Sequence, residues 1–533
     1  MSMQVKPEAD HGSQSGHLGS RLVSRLLNNA DNIKHPAVIE EGVCWSYADL
    51  LEKAIRLASS LNAKGIKPGD KVAIMLMNQK EFLVSFFALR ILSAVVVPLN
   101  IQMPPEDLRF ILRHSESRLV ITNPLFAKHF EGTPLPLLIA GEHPEAVSEM
   151  SWEAAVSAGN ADFSIEAESL ETLANPDLHV LIYTSGTTGQ PKGVMLSEKN
   201  LIANLDGIHP VIGLVSEDKG LLALPLFHAY GLMIGLYLLD QKGTLILVPN
   251  FSPKKILESI IQHQVTVLPL VPTMFGVMLQ GMKKAGAEAF KALRICISGG
   301  ASLPPQLLKD VEESLNIVVL EGYGMTEASP VLCVNNPKRG SIPGSVGKPL
   351  PNVALKLVND EIRVKGDNVM AGYYKNPEAT AEAFDETGFL KTGDLGHLDE
   401  EGNLYISGGR IKDLIIKAGE NIAPLRIEQV LYQHPAIQEA SVIGVNDPKL
   451  GEDILACIQL KADYIAQHGN GSNQLGDAEQ KSLEAELRKF CVSNLTPMLT
   501  PSYFRFYDEL PKNASGKVLK KTLREENPTA PKK

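Results

Sequence analysis

The sequence "YTSGTTGQPKG" (183–193) follows the apolar run "HVLIY" and combines small hydroxyl residues with glycines and one lysine. Glycines let backbone N–H groups approach phosphate oxygens, and hydroxyls and a lysine add donors and charge. A Walker A loop reads GxxxxGK[ST], but here Gly186 and Gly189 are too close together and Lys192 is flanked by proline and glycine. Ligands of parallel α/β sheets bind beyond the carboxyl ends of strands. The segment therefore predicts a phosphate-binding loop other than that of P-loop NTPases, against the plainer alternative of a flexible surface loop.

Short unbroken apolar runs recur along the first 330 residues and alternate with segments of helical spacing. One such segment starts at Ser46, with Asp49 completing a capping box and Gly65 as the stop. Unbroken apolar strands that alternate with helices indicate parallel sheets buried on both faces. The runs are "VAIMLM" (72–77), "AVVVPL" (94–99), "LVIT" (119–122), "HVLIY" (179–183), "TLILVP" (244–249), "VTVLPLV" (265–271), "LRICIS" (293–298) and "IVVLEGYG" (317–324).

The composition of the chain changes twice towards its C-terminal end. From about residue 340, Gly, Pro and charged residues separate short strands, which suggests a small β subdomain. Beyond a boundary near 409–412, roughly 120 residues alternate helix and strand and suffice for a small α+β domain. We therefore predict the α/β class: a large N-terminal domain (21–409) with parallel α/β sheets and a small β subdomain, and a small α+β C-terminal domain (413–533).

Charge and cysteine content exclude several classes of protein. The net charge of −10 disfavours a nucleic-acid binder, so a phosphate ligand must be held by local donors. Five dispersed cysteines without a CxxC pair disfavour both a disulfide framework and a zinc site. Residues 1–20 lack the apolar core of a signal peptide and predict a disordered tail, and no run reaches the roughly 18 apolar residues of a transmembrane segment. We expect a cytoplasmic protein, monomeric or homodimeric, for which peripheral membrane contact stays open.

Further motifs follow the opening loop in a fixed order. Together they resemble the adenylate-forming superfamily of acyl-CoA synthetases, luciferases and peptide-synthetase adenylation domains, from about residue 22 to 523. The resemblance implies that a carboxylic acid reacts with ATP and Mg²⁺ to give an acyl-adenylate, which then passes its acyl group to the thiol of coenzyme A. The motifs are "LPLFHAYGL" (224–232), "SGGASLP" (298–304), "EGYGMTEASP" (321–330), "GYYKNPEAT" (372–380), "KTGDLGHLDEEGNLYISGGRIKD" (391–413), "KAGENIAP" (417–424) and "LPKNASGKVLKKTL" (510–523).

The resemblance also implies roles around the nucleotide. Thr184 with Glu327 would hold Mg²⁺, whose preferred ligands are oxygen atoms. Tyr323 would pack on the adenine, and Asp394 would accept both ribose hydroxyls, which suits an acceptor-only carboxylate. Thr326 would contact the α-phosphate and Arg410 would orient the ribose. The implied nucleotide-site residues are Thr184, Ser185, Gly186, Thr187, Thr188, Gly189, Lys192, Gly299, Gly300, Ala301, Glu321, Gly322, Tyr323, Gly324, Thr326, Glu327, Asp394 and Arg410.

The C-terminal domain would be mobile by the same resemblance. Residues 410–412 would form a hinge, and Lys517 would reach the α-phosphate during adenylation and then withdraw so that a thiol can enter. Lys517, Lys192, Thr184 and Glu327 are accordingly the implied catalytic residues. The implied coenzyme A contacts are Lys417, Gly419 and Glu420, and Lys412 of the hinge is a further implied cofactor-binding residue.

The sequence says less about which carboxylic acid is activated. Residues that would line its pocket are mostly apolar or aromatic, with no evident cation for a second anionic group: Phe227, His228, Tyr230 and Met325. A medium- or long-chain fatty acid is therefore favoured, with an aryl acid as the alternative. Arg426 stands where the family usually has glutamate, and "LTPMLTPSYFRF" (495–506) lacks a common Tyr-Lys pair. Transfer to a carrier protein instead of coenzyme A, and a non-catalytic nucleotide-binding homologue, remain alternatives.

Overall fold

The apolar runs of the sequence form the interior strands of two large sheets in the computed structural model. The structure describes residues 20–27, 34–141, 150–164, 178–184, 190–410, 413–469, 475–513 and 516–530. The fold is of the α/β class, with a large N-terminal part and a smaller C-terminal part, as predicted.

The strands of the described residues alternate with helices over most of the chain. In chain order they are β1 (Pro36–Glu40), β2 (Val43–Ser46), β3 (Lys71–Met75), β4 (Val95–Pro98), β5 (Ser117–Thr122), β6 (Leu137–Ile139), β7 (Met150–Ser151), β8 (Val180–Thr184), β9 (Lys192–Leu196), β10 (Lys219–Leu222), β11 (Thr244–Leu247), β12 (Val267–Leu270), β13 (Ile295–Ser298), β14 (Val318–Gly324), β15 (Val331–Val334), β16 (Lys348–Pro349), β17 (Ala354–Val358), β18 (Glu361–Lys365), β19 (Gly372–Tyr373), β20 (Leu390–Leu398), β21 (Leu404–Arg410), β22 (Ile415–Lys417), β23 (Glu420–Ile422), β24 (Ile437–Asp447), β25 (Gly451–Leu460) and β26 (Tyr503–Tyr507).

Helices cover the sheets and connect their strands. In chain order they are α1 (Arg21–Leu27), α2 (Tyr47–Ala63), α3 (Lys80–Ile91), α4 (Pro105–Ser115), α5 (Pro124–Ala127), α6 (Trp152–Ala158), α7 (Glu198–Ile212), α8 (Ala229–Asp240), α9 (Pro253–His263), α10 (Pro272–Ala285), α11 (Pro305–Leu315), α12 (Pro377–Ala383), α13 (Pro424–Leu431), α14 (Ala462–His468), α15 (Asp477–Asn494) and α16 (Lys520–Glu526).

Two large sheets build the N-terminal part. One has the order β16-β15-β14-β13-β12-β10-β11-β1-β2 and the other β19-β9-β8-β4-β3-β5-β6-β7. Their central strands are parallel, whereas β15 and β16, β2, and β9 with β19 add antiparallel edges. The parallel centre was predicted and the antiparallel edges were not. Those edges include the hairpin β8–β9 that carries the opening loop.

Helix α2 shows how local sequence sets an element. The Ser46 side chain accepts a hydrogen bond from the N–H of Asp49, and the Asp49 carboxylate accepts one from the Ser46 N–H, which is the predicted capping box. Leu50, Leu57 and Leu61 are fully buried on one face of the helix. Gly65 follows the helix with a φ of +87°, where the absence of Cβ removes the steric cost.

The smaller sheets lie in the C-terminal half. A four-stranded sheet, β17-β18-β20-β21, forms the predicted β subdomain, and the last sheet has the order β23-β22-β25-β24 with β26 parallel to β25. The largest core of the N-terminal part includes residues from Leu22 to Leu404, and a second, smaller core there includes residues from Ala73 to Tyr374. The last sheet has its own two cores, one with residues from Ile415 to Phe504 and one with residues from Ile443 to Leu523. The predicted hinge, 410–412, falls between these cores in sequence, and the domain division stays a prediction.

Among the described residues, no helix is both long and apolar enough to cross a bilayer. The cysteines that the structure describes are all free, and four of the five are buried.

Candidate active site

The hairpin β8–β9 presents the first predicted residues. Thr184 ends β8 directly opposite Lys192, which begins β9, while Ser185–Gly189 lie outside the described residues. A Cβ on Gly193 would approach Tyr183 Cζ to 3.1 Å, so glycine at this position leaves room for the tyrosine ring. The Tyr183 hydroxyl is hydrogen-bonded to His114 Nδ1 at 2.8 Å. These contacts fix the end of the hairpin at which the loop leaves β8 and returns to β9.

The turn after β14 presents Thr326 and Glu327. A Cβ on Gly324 would lie 2.1 Å from the Pro330 carbonyl oxygen, so only glycine permits this close approach of β14 to β15. The Met325 N–H donates to the same carbonyl at 2.9 Å. The Glu327 carbonyl accepts a bond from the Met370 N–H at 2.8 Å. These backbone contacts hold the turn against Pro330 and against Met370, which lies two residues before the edge strand β19.

Tyr373 connects the loop lysine to the predicted metal ligand. Its hydroxyl donates to Glu327 Oε1 at 3.0 Å, and the Lys192 ammonium lies 5.2 Å from the centroid of its ring. An ammonium over a tyrosine face is attracted by the ring quadrupole. The structure thus brings Lys192 and Glu327 to the same place through a residue to which sequence reasoning gave no role, although "GYYKNPEAT" was noted as a motif.

A cavity of about 240 Å³ lies between the N-terminal part and the C-terminal sheet. It is lined by residues from both, and its wall contains eight of the predicted site residues. Gly299, Thr326 and Glu327 are not in its wall. The eight are Gly300, Ala301, Glu321, Gly322, Tyr323, Gly324, Asp394 and Lys517.

Tyr323 and Asp394 form one unit in this wall. The Tyr323 hydroxyl donates to Asp394 Oδ2 at 2.6 Å, and the Asp394 N–H donates to Thr392 Oγ1 at 3.1 Å. Burial, reinforced by the Asp394 charge, raises the pKa of Tyr323 well above its usual value, so the phenol stays protonated. Asp394 is therefore a buried, oriented acceptor at the cavity, as recognition of hydroxyl groups requires.

Glu321 is buried in the same wall. Its Oε1 accepts a bond from the Leu303 N–H at 2.8 Å, which ties the segment after β13 to β14. Oε2 has no hydrogen-bond partner among the described residues. Burial raises the pKa of Glu321 to about 8, so this carboxyl group is largely neutral at pH 7.

Three of the four predicted acyl-pocket residues lie at the start of α8: Phe227, His228 and Tyr230. His228 caps this helix, its Nδ1 accepting from the Tyr230 N–H at 3.3 Å. Burial, together with the charge of Lys517, lowers the pKa of His228 to about 4, so the imidazole is neutral at pH 7. The Tyr230 hydroxyl donates to the Ile297 carbonyl at 3.2 Å, and a Cβ on Gly299 would lie 3.2 Å from Tyr230 Cζ. The imidazole of His228 and the phenol of Tyr230 are thus uncharged, and each makes a hydrogen bond to nearby backbone. Phe227, the neighbour of His228 in sequence, is buried, and Met325 is half-buried.

The residues predicted to contact coenzyme A have different surroundings. Lys417 is buried, and its ammonium lies 2.7 Å from Asp453 Oδ1 inside the C-terminal sheet. Gly419 and Glu420 are exposed at the turn between β22 and β23. Lys412 lies outside the described residues. For Arg410 the structure gives the strand position, opposite Asp394 in β20–β21. Lys417 therefore has a structural partner in this arrangement, and the predicted coenzyme A contact stays a prediction.

The predicted magnesium site has few protein ligands. Among the described residues, no group of three or more His, Cys, Asp and Glu side chains is placed to hold a metal ion. Mg²⁺ is usually held by one or two carboxylates together with substrate phosphates and water, so the Glu327 carboxylate and the Thr184 hydroxyl fit an ion that arrives with ATP.

Replacing Tyr373 with phenylalanine should raise the Mg²⁺ concentration that gives half-maximal activity by about tenfold, because the hydrogen bond that orients the Glu327 carboxylate is lost. The ring beneath Lys192 is kept in this variant. Tyr374→Phe is the matched control, since the Tyr374 hydroxyl contacts the exposed Glu116 instead. An unchanged magnesium dependence in Tyr373→Phe would contradict the role given to Tyr373.

Comparison with known proteins gives family matches in both the N-terminal and the C-terminal part of the chain. The profile of the AMP-binding enzyme family matches residues 28–374, and that of the AMP-binding enzyme C-terminal domain matches residues 426–517. The chain is 34% identical over 499 residues to a sulfoacetate–CoA ligase of Cupriavidus necator, covering 90% of this chain and 92% of that protein. It is 33% identical over 522 residues to a long-chain-fatty-acid–CoA ligase of Bacillus subtilis, covering 90% of each. The crystal structure of ATP-bound MatB from Rhodopseudomonas palustris matches with a TM-score of 0.82 at 30% identity, covering 95% of this chain and 98% of that one.

Proposed function

This chain belongs to the AMP-binding enzyme family, and we propose that the acid it activates is an apolar monocarboxylic acid, a medium- or long-chain fatty acid. Its enzyme class is that of the ATP-dependent acid–thiol ligases, since the relatives that it matches over nine-tenths of their length are CoA ligases. Those relatives are named for acids as different as sulfoacetate and long-chain fatty acids. The choice of acid therefore depends on this chain's own residues.

The reaction has two balanced steps. A carboxylate oxygen of the acid bonds to the α-phosphorus of ATP, the bond from that phosphorus to the β-phosphate oxygen breaks, and pyrophosphate leaves. No proton moves, because a carboxylate is already ionised at pH 7. In the second step the thiol sulfur of coenzyme A bonds to the acyl carbon, AMP leaves with the electron pair of the C–O bond, and the thiol proton goes to solvent.

Cations and oriented donors are what the first step needs, because its transition state differs from the reactants chiefly in the distribution of phosphate charge. We assign Lys192 to the phosphates that leave and Lys517 to the α-phosphate and the attacking carboxylate. Mg²⁺ bound with ATP would neutralise phosphate charge, and Glu327 with Thr184 would hold it. Support comes from the contacts of both residues with Tyr373: Lys192 lies over its ring, and Glu327 accepts a hydrogen bond from its hydroxyl.

Asp394 is assigned to the ribose hydroxyls. It is buried in the cavity wall and oriented by Tyr323 and Thr392, so it can accept hydrogen bonds without reorganising. Lys517 lies in the wall of the same cavity of about 240 Å³. This supports the proposal that one space receives both the ribose and the α-phosphate.

One observation carries the choice of acid: the predicted acyl wall is uncharged. His228 is neutral at pH 7 because burial lowers its pKa to about 4, and the Tyr230 hydroxyl is already bonded to the Ile297 carbonyl. The cation near this wall, Lys517, is assigned to the α-phosphate and the reacting carboxylate, so a second carboxylate or a sulfonate would be buried without a partner, which costs several kcal/mol. An alkyl chain meets no such penalty and gains about 0.8 kcal/mol per buried methylene.

A panel of acids in the ATP–pyrophosphate exchange assay tests this proposal. We expect exchange with octanoate and palmitate to exceed that with malonate and sulfoacetate by at least about tenfold, the equivalent of about 1.4 kcal/mol. Benzoate would be the best substrate if the pocket is built for an aryl acid. Preference for a doubly charged acid would contradict the apolar pocket, and no exchange with any acid would favour a non-catalytic homologue. Exchange without acyl-CoA formation would favour a carrier protein as acceptor.

A further inference from the structure

The loop that carries Lys517 contacts the N-terminal part of the protein at one defined point. The Thr273 hydroxyl donates a hydrogen bond to the Gly516 carbonyl at 3.2 Å. Gly516 has a φ of +78°, and a Cβ there would lie 2.8 Å from Thr273 Oγ1 and 3.0 Å from Val271 Cγ2. Glycine is thus required twice, for its backbone conformation and for its close approach.

Thr273 is placed by rigid elements. It lies in the first turn of α10, which follows the buried strand β12, and the neighbouring Val271 and Pro272 are buried. Thr273, Gly516 and Lys517 all lie in the wall of the 240 Å³ cavity. The hydroxyl therefore reaches out from the carboxyl edge of the large parallel sheet towards the C-terminal part.

The Lys517 loop is itself held by Asn513. The Lys517 N–H donates to Asn513 Oδ1 at 2.9 Å, and the Asn513 N–H donates to the Lys517 carbonyl at 2.9 Å. The Gly516 N–H also donates to the Asn513 carbonyl at 2.9 Å. Because these bonds couple Gly516 to Lys517, a contact that fixes Gly516 also fixes the start of the lysine side chain.

We propose that Thr273 is a positioning residue for adenylation: its hydrogen bond to Gly516 holds the Lys517 loop over the nucleotide cavity. The bond must be broken when the loop withdraws for thioester formation, so Thr273 acts on the first half-reaction and not on the second. This inference rests on the proposed function, in which Lys517 acts on the α-phosphate. The influence of Lys517 on the pKa of His228 agrees with a lysine held close to the acyl wall.

Thr273→Val, which removes the hydroxyl at nearly constant shape, and Thr273→Ser, which keeps it, form the test pair. We expect Thr273→Val to lower kcat for pyrophosphate exchange about three- to tenfold, the value of one hydrogen bond, with the KM values for ATP and acid unchanged. Formation of acyl-CoA from synthetic acyl-adenylate should be unchanged, and Thr273→Ser should behave like the wild type. In a Lys517→Ala background, Thr273→Val should have no further effect, because Thr273 acts through Lys517.

Gln280→Ala is the matched control. Gln280 also lies on α10 and its Nε2 donates to Asp463 Oδ2 of the C-terminal part at 2.9 Å, but this contact is exposed. We expect its removal to leave exchange unchanged. Equal losses in both half-reactions, or an additive loss with Lys517→Ala, would overturn the proposal.

A second measurement does not depend on turnover. Amide hydrogen exchange of the peptide covering residues 513–519 should be faster in Thr273→Val than in the wild type and unchanged in Thr273→Ser. If the wild type shows no pyrophosphate exchange with any acid, the proposed function fails, while this amide measurement still decides whether Thr273 holds the loop. Equal amide exchange in all three proteins would overturn the proposal that the Thr273–Gly516 hydrogen bond holds this loop.

Discussion

Replacing Lys517 with alanine is expected to slow acyl-adenylate formation by about 10²- to 10³-fold, the usual cost of removing one preorganised group that stabilises transition-state charge. Thioester formation from supplied acyl-adenylate should change by less than about threefold, because Lys517 has no part in that step as proposed. The measurements are pyrophosphate exchange for the first half-reaction and release of acyl-CoA from synthetic adenylate for the second.

The variant should keep its fold. The bonds that hold the loop are made by the backbone of Lys517 with Asn513 and by Gly516 with Thr273, so truncation of the lysine side chain leaves them in place. Lys517 also lies in the wall of the cavity that contains Asp394 and Tyr323, where its side chain is proposed to act. The effect should therefore fall on kcat rather than on protein stability.

Lys521→Ala is the control for a general loss of positive charge in this segment. Lys521 is largely exposed and lies 3.8 Å from Glu525 one helical turn away in α16, a kind of pair that contributes little. Its removal should leave both half-reactions within about twofold of the wild type. Normal adenylation by Lys517→Ala would refute the assignment of this lysine.

The class of the fold and most of its interior strands could be predicted from the sequence. Buried parallel strands need apolar side chains on both faces, so "VTVLPLV" and "LRICIS" stand out as β12 and β13. Edge strands need no such run, which is why β2, whose residues are exposed or half-buried, and the two-residue strand β19 gave no signal. The pairing of β9 with β8 could not be predicted, because the glycines and hydroxyl residues between them indicate a phosphate-binding loop and not a hairpin connection.

The candidate site was predictable where local motifs carry it and not where distant contacts do. Glu327, Asp394 and Lys517 stand in long motifs, so the sequence alone predicts them as site residues. Tyr373 and Thr273 could not be predicted in this way, because the roles proposed for them rest on contacts with residues 46 and 243 positions away. The burial of Lys417 could not be predicted either, because its partner Asp453 lies in a different strand, β25.

Replacing Asp453 with asparagine is expected to destabilise the C-terminal sheet by about 3 to 5 kcal/mol, because the Lys417 ammonium would stay buried without its counter-charge. The side chains of this pair are 9% and 4% exposed, and their charged atoms lie 2.7 Å apart. Replacing both residues, as in Lys417→Met with Asp453→Leu, should recover much of the loss, because the apolar pair carries no desolvation penalty.

The effect should be confined to the C-terminal sheet. Both tryptophans, Trp45 and Trp152, lie in the N-terminal part, so denaturant unfolding followed by tryptophan fluorescence should change little. Amide hydrogen exchange in β22 and β25, which are paired at Lys417 and Gly451, should become faster. The control is Asp367→Asn, which breaks the exposed pair of Lys199 and Asp367, whose side chains are 72% and 64% exposed. This change should cost less than about 1 kcal/mol.

The pH dependence of protein stability gives a second test of the Lys417–Asp453 pair. Burial would raise the pKa of Asp453, but hydrogen bonds from Lys417, Ser502 and the Ile454 N–H outweigh burial and hold it below its usual value. A carboxylate whose pKa is lower in the folded than in the unfolded chain stabilises the fold above the unfolded value of about 3.9 and loses this contribution as the pH falls through the folded value. The difference in stability between the wild type and Asp453→Asn should therefore be constant from about pH 5 to 8 and shrink below about pH 4. A difference that grows on acidification would show that Asp453 is not held ionised by Lys417.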